Sequence, residues 1–185
     1  MITAFIVSML TYCLMFSPVY FIARFVKKKK QSFYFWKELW YFSFFLYCVC
    51  IFSQTILPSR EVLLGNEELI GGSNFIPFVT IRFYINQLGG SMHTVALYNL
   101  LGNIVLFVPF GFYIPSIFRQ FQSPWKMYVV AVAIPVFIET TQYFIGRSID
   151  VDDVILNTLA ILIGYSLFYV VRRMFKYRIY KAKKS

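Results

Sequence analysis

The sequence has few charged residues for its length. Only 14% of its 185 residues are charged, whereas 59% are hydrophobic, and the mean hydropathy is +0.64. Charged residues make up about 25% of a typical soluble domain. The shortage therefore excludes an ordinary soluble domain. The 21% aromatic content is typical of a membrane protein, in which Trp and Tyr collect at the two interfaces.

Cysteine and histidine are also scarce. The chain has three cysteines, an odd number, and one histidine. Cys13, Cys48 and Cys50 all lie inside apolar runs, without the Cys–His spacing of a zinc site. This pattern indicates small buried apolar side chains and not a disulfide or a metal centre. We therefore expect no metal and no cofactor.

The charge that is present is mainly positive. The formal net charge is +10, and the basic residues lie between or after the apolar runs. This placement is typical of the cytoplasmic loops of a membrane protein, which contact anionic headgroups. It predicts membrane lipids as partners and argues against nucleic acid.

Five apolar runs are long enough to cross a bilayer, which requires about 20 residues. They are residues 2–26, 39–57, 97–118, 127–145 and 154–171. These runs predict an all-α, multi-pass protein of the cell membrane with about five transmembrane helices. The chain shows no internal repeat and no low-complexity segment.

The basic residues predict how the five spans are oriented. Arg24 and residues 27–30 follow the first span, which predicts an uncleaved helix with its N-terminus outside. The segment 58–94 and the acidic turn 146–153 then also lie outside. Every short basic segment falls on the cytoplasmic side, and this includes the C-terminal tail.

The long outer segment allows two interpretations. Residues 80–88 mix apolar side chains with Arg82, Asn86 and Gln87, which is typical of a short helix lying in the outer interface. The alternative is a loop that only reconnects two spans.

Two polar clusters interrupt the apolar runs near the predicted outer surface. Asn99 and Asn103 begin the third span, and their i, i+4 spacing places them on one helix face. The second cluster comprises Glu139, Gln142, Arg147, Asp150, Asp152, Asp153 and Asn157. A charge at the centre of a membrane helix costs about 2.5–3.5 kcal/mol. Keeping these groups at one membrane depth therefore predicts that they have a function.

The clusters have a structural and a functional interpretation. Arg147 is the obvious counter-ion for Glu139, Asp150 or Asp153, and Asp150 or Asp152 could cap the fifth span. Such a network would lock three helices together. Polar bonds between membrane helices average only about 0.6 kcal/mol, however, which favours a ligand site with helix locking as a partial role.

Small residues accompany the clusters and predict close helix packing. They are Gly102, Gly111, Ala160 and Gly164.

Three blocks of sequence resemble the VanZ-like family. They are NFIPF (74–78), NLLGNIVLFVPFG (99–111) and the acidic block E-x-x-Q, then R, then DVDDVILN (139–157). The order and the spacing of the blocks agree with the family pattern over residues 74–165. Ala160 stands where the family often has Gly.

The resemblance implies a protein of a Gram-positive cell envelope that lowers susceptibility to the glycopeptide antibiotic teicoplanin. With the polar clusters, it predicts recognition of a lipoglycopeptide or a lipid-linked wall precursor at the outer face. The predicted ligand-binding residues are Asn99, Asn103, Glu139, Gln142, Arg147, Asp150, Asp153 and Asn157. The predicted covering loop contains Asn74, Pro77 and Arg82. The predicted divisions are 1–58, 59–172 and the basic tail 173–185.

Three other functions stay open. An intramembrane enzyme would modify a lipid or a lipid-linked wall precursor, with Glu139 and an Asp as general acid and base. Among enzymes that modify lipids, an acyltransferase is not supported, because the sequence shows no nucleophile motif and no phosphate-binding loop. A small transporter and a structural partner of a larger complex are the remaining alternatives.

Overall fold

The computed structural model describes residues 2–27, 34–56, 73–145 and 147–182. These residues form six α-helices and a 3₁₀ helix, Arg119–Gln122. We number the α-helices α1 (Ile2–Lys27), α2 (Phe35–Thr55), α3 (Val79–Gln87), α4 (His93–Ile117), α5 (Pro124–Phe144) and α6 (Val151–Ala182).

Five of these helices are long and apolar enough to cross a membrane, namely α1, α2, α4, α5 and α6. This confirms the prediction of an all-α, multi-pass membrane protein. Several helices begin before the predicted spans because polar residues such as Glu38 and Asp153 lower the hydropathy while still adopting helical backbone. The orientation of the termini and the divisions at 58 and 172 stay predictions.

The chain divides into two compact units, Met1–Glu67 and Glu68–Ser185. In the first unit α1 packs against α2. Arg24 forms a salt bridge with Glu38, and the Tyr20 hydroxyl donates to the same carboxylate over 3.3 Å. The Sγ atoms of Cys13 and Cys50 are 3.4 Å apart, and both thiols are free and half-buried.

In the second unit α4 and α6 run in the same direction and pack most closely, and α5 runs antiparallel beside α6. Gly111 and Gly164 meet at the contact between α4 and α6. A Cβ atom on Gly111 would lie 1.9 Å from the carbonyl oxygen of Ile161, and one on Gly164 would lie 1.9 Å from that of Val108. The two backbones therefore touch, which only glycine allows.

The other two small residues behave differently. Ala160 is fully buried, as close packing requires. A Cβ atom on Gly102 would meet no neighbour within 4 Å among the residues that the structure describes. The prediction that Gly102 contributes to close packing is therefore wrong for the described residues, because none of them approaches the backbone of α4 at this position.

One residue, Gln122, collects hydrogen bonds at the end of the second unit where α4 ends and α5 begins. Its backbone carbonyl accepts from the hydroxyls of Tyr165, over 2.8 Å, and Tyr169. Its Oε1 accepts from Arg172 over 2.6 Å, and its Nε2 donates to the carbonyl of Pro115 over 3.0 Å. The 3₁₀ helix is thereby fastened to both α4 and α6.

The substitution Gly111→Ala tests the contact between α4 and α6. The added methyl group must push α6 away, and overpacking of this kind costs about 1–3 kcal/mol. We expect a lower thermal unfolding midpoint for the purified protein in detergent.

Gly102→Ala is the matched control on the same helix. It adds the same methyl group into open space and relieves the low helix propensity of glycine by about 1 kcal/mol. Equal destabilisation by both substitutions would contradict the described contact.

Candidate ligand-binding site

The polar residues gather at the end of the second unit where α4 and α6 begin and α5 ends, which we call the polar end. Asn74 fastens the NFIPF segment to this end through a parallel β-bridge with Asp150. The Asn74 N–H donates to the carbonyl of Ile149 over 2.7 Å, and its carbonyl accepts from Val151 over 3.0 Å. The Asn74 side-chain amide also donates to Asp150 Oδ1 over 3.0 Å.

Asp150 is the residue that caps α6. Its Oδ1 accepts from the Asp152 N–H over 2.9 Å, as expected for an N-cap carboxylate beside the positive end of the helix dipole. The Asp150 N–H donates to Glu139 Oε2 over 3.1 Å. One residue therefore ties together the end of α5, the start of α6 and the NFIPF segment.

Asp152 has a different role, which the sequence analysis missed. Its side chain is only 1% exposed. Its Oδ1 accepts from the Phe78 N–H over 2.5 Å, and its Oδ2 accepts from Thr80 and Ile81 over 2.7 and 3.0 Å. These N–H groups stand at the first turn of α3, where a helix has unsatisfied donors. A carboxylate from α6 thus caps α3.

The backbone around this cap explains why α3 needs it. Phe78 occupies the N-cap position of α3 with φ of 67°, in the left-handed region that is costly for a bulky residue. It offers no capping side chain. An apolar residue at a predicted helix start is therefore the signal that could have indicated a cap from elsewhere in the chain.

Asn103 joins α4 to the same network. Its side-chain amide donates to Asp153 Oδ1 over 3.0 Å. Asn99 lies one turn earlier on α4, but its amide donates to the carbonyl of Val95 over 2.9 Å. Of the two asparagines that the sequence places on one face, Asn103 therefore bridges to α6, whereas Asn99 bonds within its own helix.

The remaining predicted residues lie around the network. Arg147 is exposed in the turn between α5 and α6. Its backbone N–H donates to the carbonyl of Gln142 over 3.0 Å, and its positive charge attracts the Glu139 carboxylate. Gln142 is half-buried. Pro77 and Arg82 are exposed on the NFIPF segment and on α3.

Asn157 lies one helical turn deeper than Asp153. It is only 4% exposed, and its Oδ1 is buried without a hydrogen-bond partner among the residues that the structure describes. Asp153, Asn157, Ala160 and Gly164 recur at the i, i+4, i+7 and i+11 positions of one helix face. This face packs against α4, so Asn157 belongs to the interior below the polar end.

Negative charge dominates the polar end. It holds four carboxylates, those of Glu139, Asp150, Asp152 and Asp153, and their hydrogen bonds come from backbone N–H groups and from asparagine amides. Burial raises the pKa of the Tyr84 phenol on α3 above its usual value, and the charges of Asp153 and Asp150 raise it further. Across the described ranges, no three His, Cys, Asp or Glu side chains converge as metal ligands.

The fold and the site define a multi-pass membrane protein whose second unit has its described acidic groups together at one end. Residues 44–172 match the VanZ/LLP1 family model. This match covers most of the chain, so the protein belongs to the VanZ/LLP1 family, which confirms the resemblance seen in the sequence. No curated protein and no solved structure matches the chain significantly.

The substitution Asp152→Ala tests the cap on α3. Loss of an N-cap side chain costs about 0.5–2 kcal/mol, so the first-turn amides of α3 should exchange about two- to thirtyfold faster. Hydrogen–deuterium exchange of the protein in nanodiscs measures this at Phe78, Thr80 and Ile81.

Asp153→Ala is the matched control, because it removes a neighbouring carboxylate that bonds to Asn103 and not to α3. Comparable acceleration of exchange at the start of α3 in both variants would mean that Asp152 is not its specific cap.

Proposed function

We propose that the protein binds a lipidated or lipid-linked amphiphile at the polar end and thereby lowers susceptibility to teicoplanin-type lipoglycopeptides. The observation that carries this proposal is the convergence of three separate sequence blocks. Asn74, Asn103 and the acidic block from Glu139 to Asp153 meet in one hydrogen-bonded network. A single helix lock would not require so many ionisable groups at one end of apolar helices.

An apolar surface beside this network supports an amphiphilic ligand. Phe75, Ile76, Phe78 and Val79 are all at least half exposed next to the Asn74 bridge. Exposed apolar side chains at the end of membrane helices contact acyl chains. A ligand with a polar scaffold and an acyl chain would therefore find partners for both parts at one place.

Side chains of opposite charge would bind different groups of such a ligand. Arg147 is exposed and presents a guanidinium group, which favours a carboxylate or phosphate of the ligand. The carboxylates and asparagine amides favour amines, hydroxyls and amides. Teicoplanin carries an acyl chain and vancomycin does not, so the proposal expects the two antibiotics to be distinguished.

A susceptibility test in a glycopeptide-sensitive Gram-positive host examines this role. Expression of the wild type should protect against teicoplanin and not against vancomycin. Arg147→Ala and Glu139→Gln should each remove the protection, because losing a hydrogen bond to a charged group weakens binding by about 10- to 100-fold.

Arg119→Ala provides the control, since Arg119 is exposed at the opposite end of the second unit. Membrane levels of all variants are compared by immunoblotting. Full protection by membrane-inserted Arg147→Ala, or none by well-expressed wild type, would reject the proposed role.

An enzymatic function is the alternative, and one observation favours it. Glu139 and Asp153 each use one carboxylate oxygen in a hydrogen bond within the described chain, and their other oxygens accept none there. Two such carboxylates are able to exchange protons with a substrate as general acid and base.

The enzymatic alternative predicts a change in the lipids or wall precursors of expressing cells. Mass spectrometry of membrane extracts should then reveal a modified species with the wild type that is missing with Glu139→Gln and Asp153→Asn. Identical profiles in all three strains would leave binding as the function.

A further inference from the structure

The unpartnered oxygen of Asn157 is an unusual feature of the interior below the polar end. A buried polar atom without a hydrogen bond is costly, and native structures contain few of them. No residue in the described ranges donates to Asn157 Oδ1. The atom is therefore open to a donor from outside the described residues, such as a ligand.

Further hydrogen-bond acceptors lie between Asn157 and the polar end. Asp153 lies one turn above on the same face of α6, and it is only half-buried. Its Oδ1 accepts from Asn103, and its Oδ2 accepts nothing from the part of the chain that the structure describes. Glu139 likewise retains one such oxygen. An incoming group would thus meet acceptors that carry negative charge.

We propose that Asp153 and Asn157 bind the primary ammonium group of an amphiphile. A primary ammonium presents three N–H donors and one positive charge, which matches the Asn157 carboxamide oxygen together with the Asp153 carboxylate. This inference rests on the proposed function and names the ligand class for the same site.

The chemistry of the acceptors excludes other ligand classes. A phosphate or carboxylate here would face like charge. A quaternary ammonium carries the charge but has no N–H group for Asn157. A metal ion would require several converging ligands, and no such group of three occurs among the described residues.

Phosphatidylethanolamine and phosphatidylcholine form a matched pair of probes, because they share the phosphate and differ in a primary or a quaternary ammonium. The full-length protein is placed in nanodiscs containing equal amounts of both, with identical acyl chains. Native mass spectrometry then measures the ratio of the two lipids bound to the released protein.

We expect phosphatidylethanolamine to be enriched about tenfold or more over phosphatidylcholine on the wild type, because the quaternary ammonium forms none of the charge-assisted N–H hydrogen bonds, and one such bond accounts for about tenfold. Asn157→Leu and Asp153→Asn should each bring the ratio close to one. Gln120→Leu also replaces a carboxamide with an apolar group, but at an exposed position of the opposite end, and should leave the enrichment intact.

The stability of Asn157→Leu separates ligand binding from a structural role. Removing an unsatisfied buried acceptor should raise the unfolding midpoint of the protein in a detergent without amines, while the enrichment is lost. A lower midpoint would identify Asn157 as a structural residue and overturn the proposal. A lipid ratio of one for the wild type would also overturn the proposal, and so would enrichment that survives Asn157→Leu. In either case water would be the partner of Asn157.

The lipid measurement and the antibiotic test can give opposite results, and each then rejects a different proposal. Selective protection from teicoplanin with a lipid ratio of one would reject the ammonium site and keep the proposed function. Enrichment of phosphatidylethanolamine without protection would reject the resistance role and keep the ammonium site.

Discussion

The backbone contact between Gly111 and Gly164 is the constraint on which the second unit depends. It brings α4 and α6 together so closely that a single methyl group would collide with a carbonyl oxygen. Because the helices run in the same direction, their starts are held side by side. Asn103 then reaches Asp153, and a face of α6 that is apolar and small at Ala160 and Gly164 becomes polar at Asn157.

The three carboxylates at the start of α6 each stabilise a different part of the polar end. Asp150 caps its own helix and receives the NFIPF segment. Asp152 caps the first turn of α3, and Asp153 meets α4. Charge-assisted hydrogen bonds are shorter and stronger than neutral ones, so this short acidic stretch holds elements that are far apart in sequence. Their cost in an apolar environment is offset by backbone donors that would otherwise be unsatisfied.

Sequence reasoning predicted the parts of this structure that depend on local composition. The five spans follow from apolar length alone, and the polar residues stand out because a bilayer disfavours them. Contacts across the chain were less accessible. The spacing of Asp152 indicates a cap for its own helix, whereas its carboxylate serves α3, because neighbouring Asp150 already supplies the α6 cap. Gly102 and Gly111 look alike in sequence, but within the described part of the chain a Cβ atom on Gly111 would meet α6, whereas one on Gly102 would meet nothing within 4 Å. The orphaned oxygen of Asn157 depends on what surrounds it, which no local pattern encodes.

The hydrogen bonds of α6 have a mechanical consequence. Near the start of α6, Asp153 is bonded to Asn103, and 19 residues further along the helix Arg172 is bonded to Gln122. At 1.5 Å per residue these two positions are about 28 Å apart, close to the thickness of the hydrocarbon core of a bilayer. Because an α-helix is stiff, α6 cannot move along its axis at Asp153 without also moving at Arg172. If a ligand bound at the polar end displaced α6 along its axis, the hydrogen bond between Arg172 and Gln122 would be distorted. Ligand binding at one end of the second unit would thereby change the geometry at the other end.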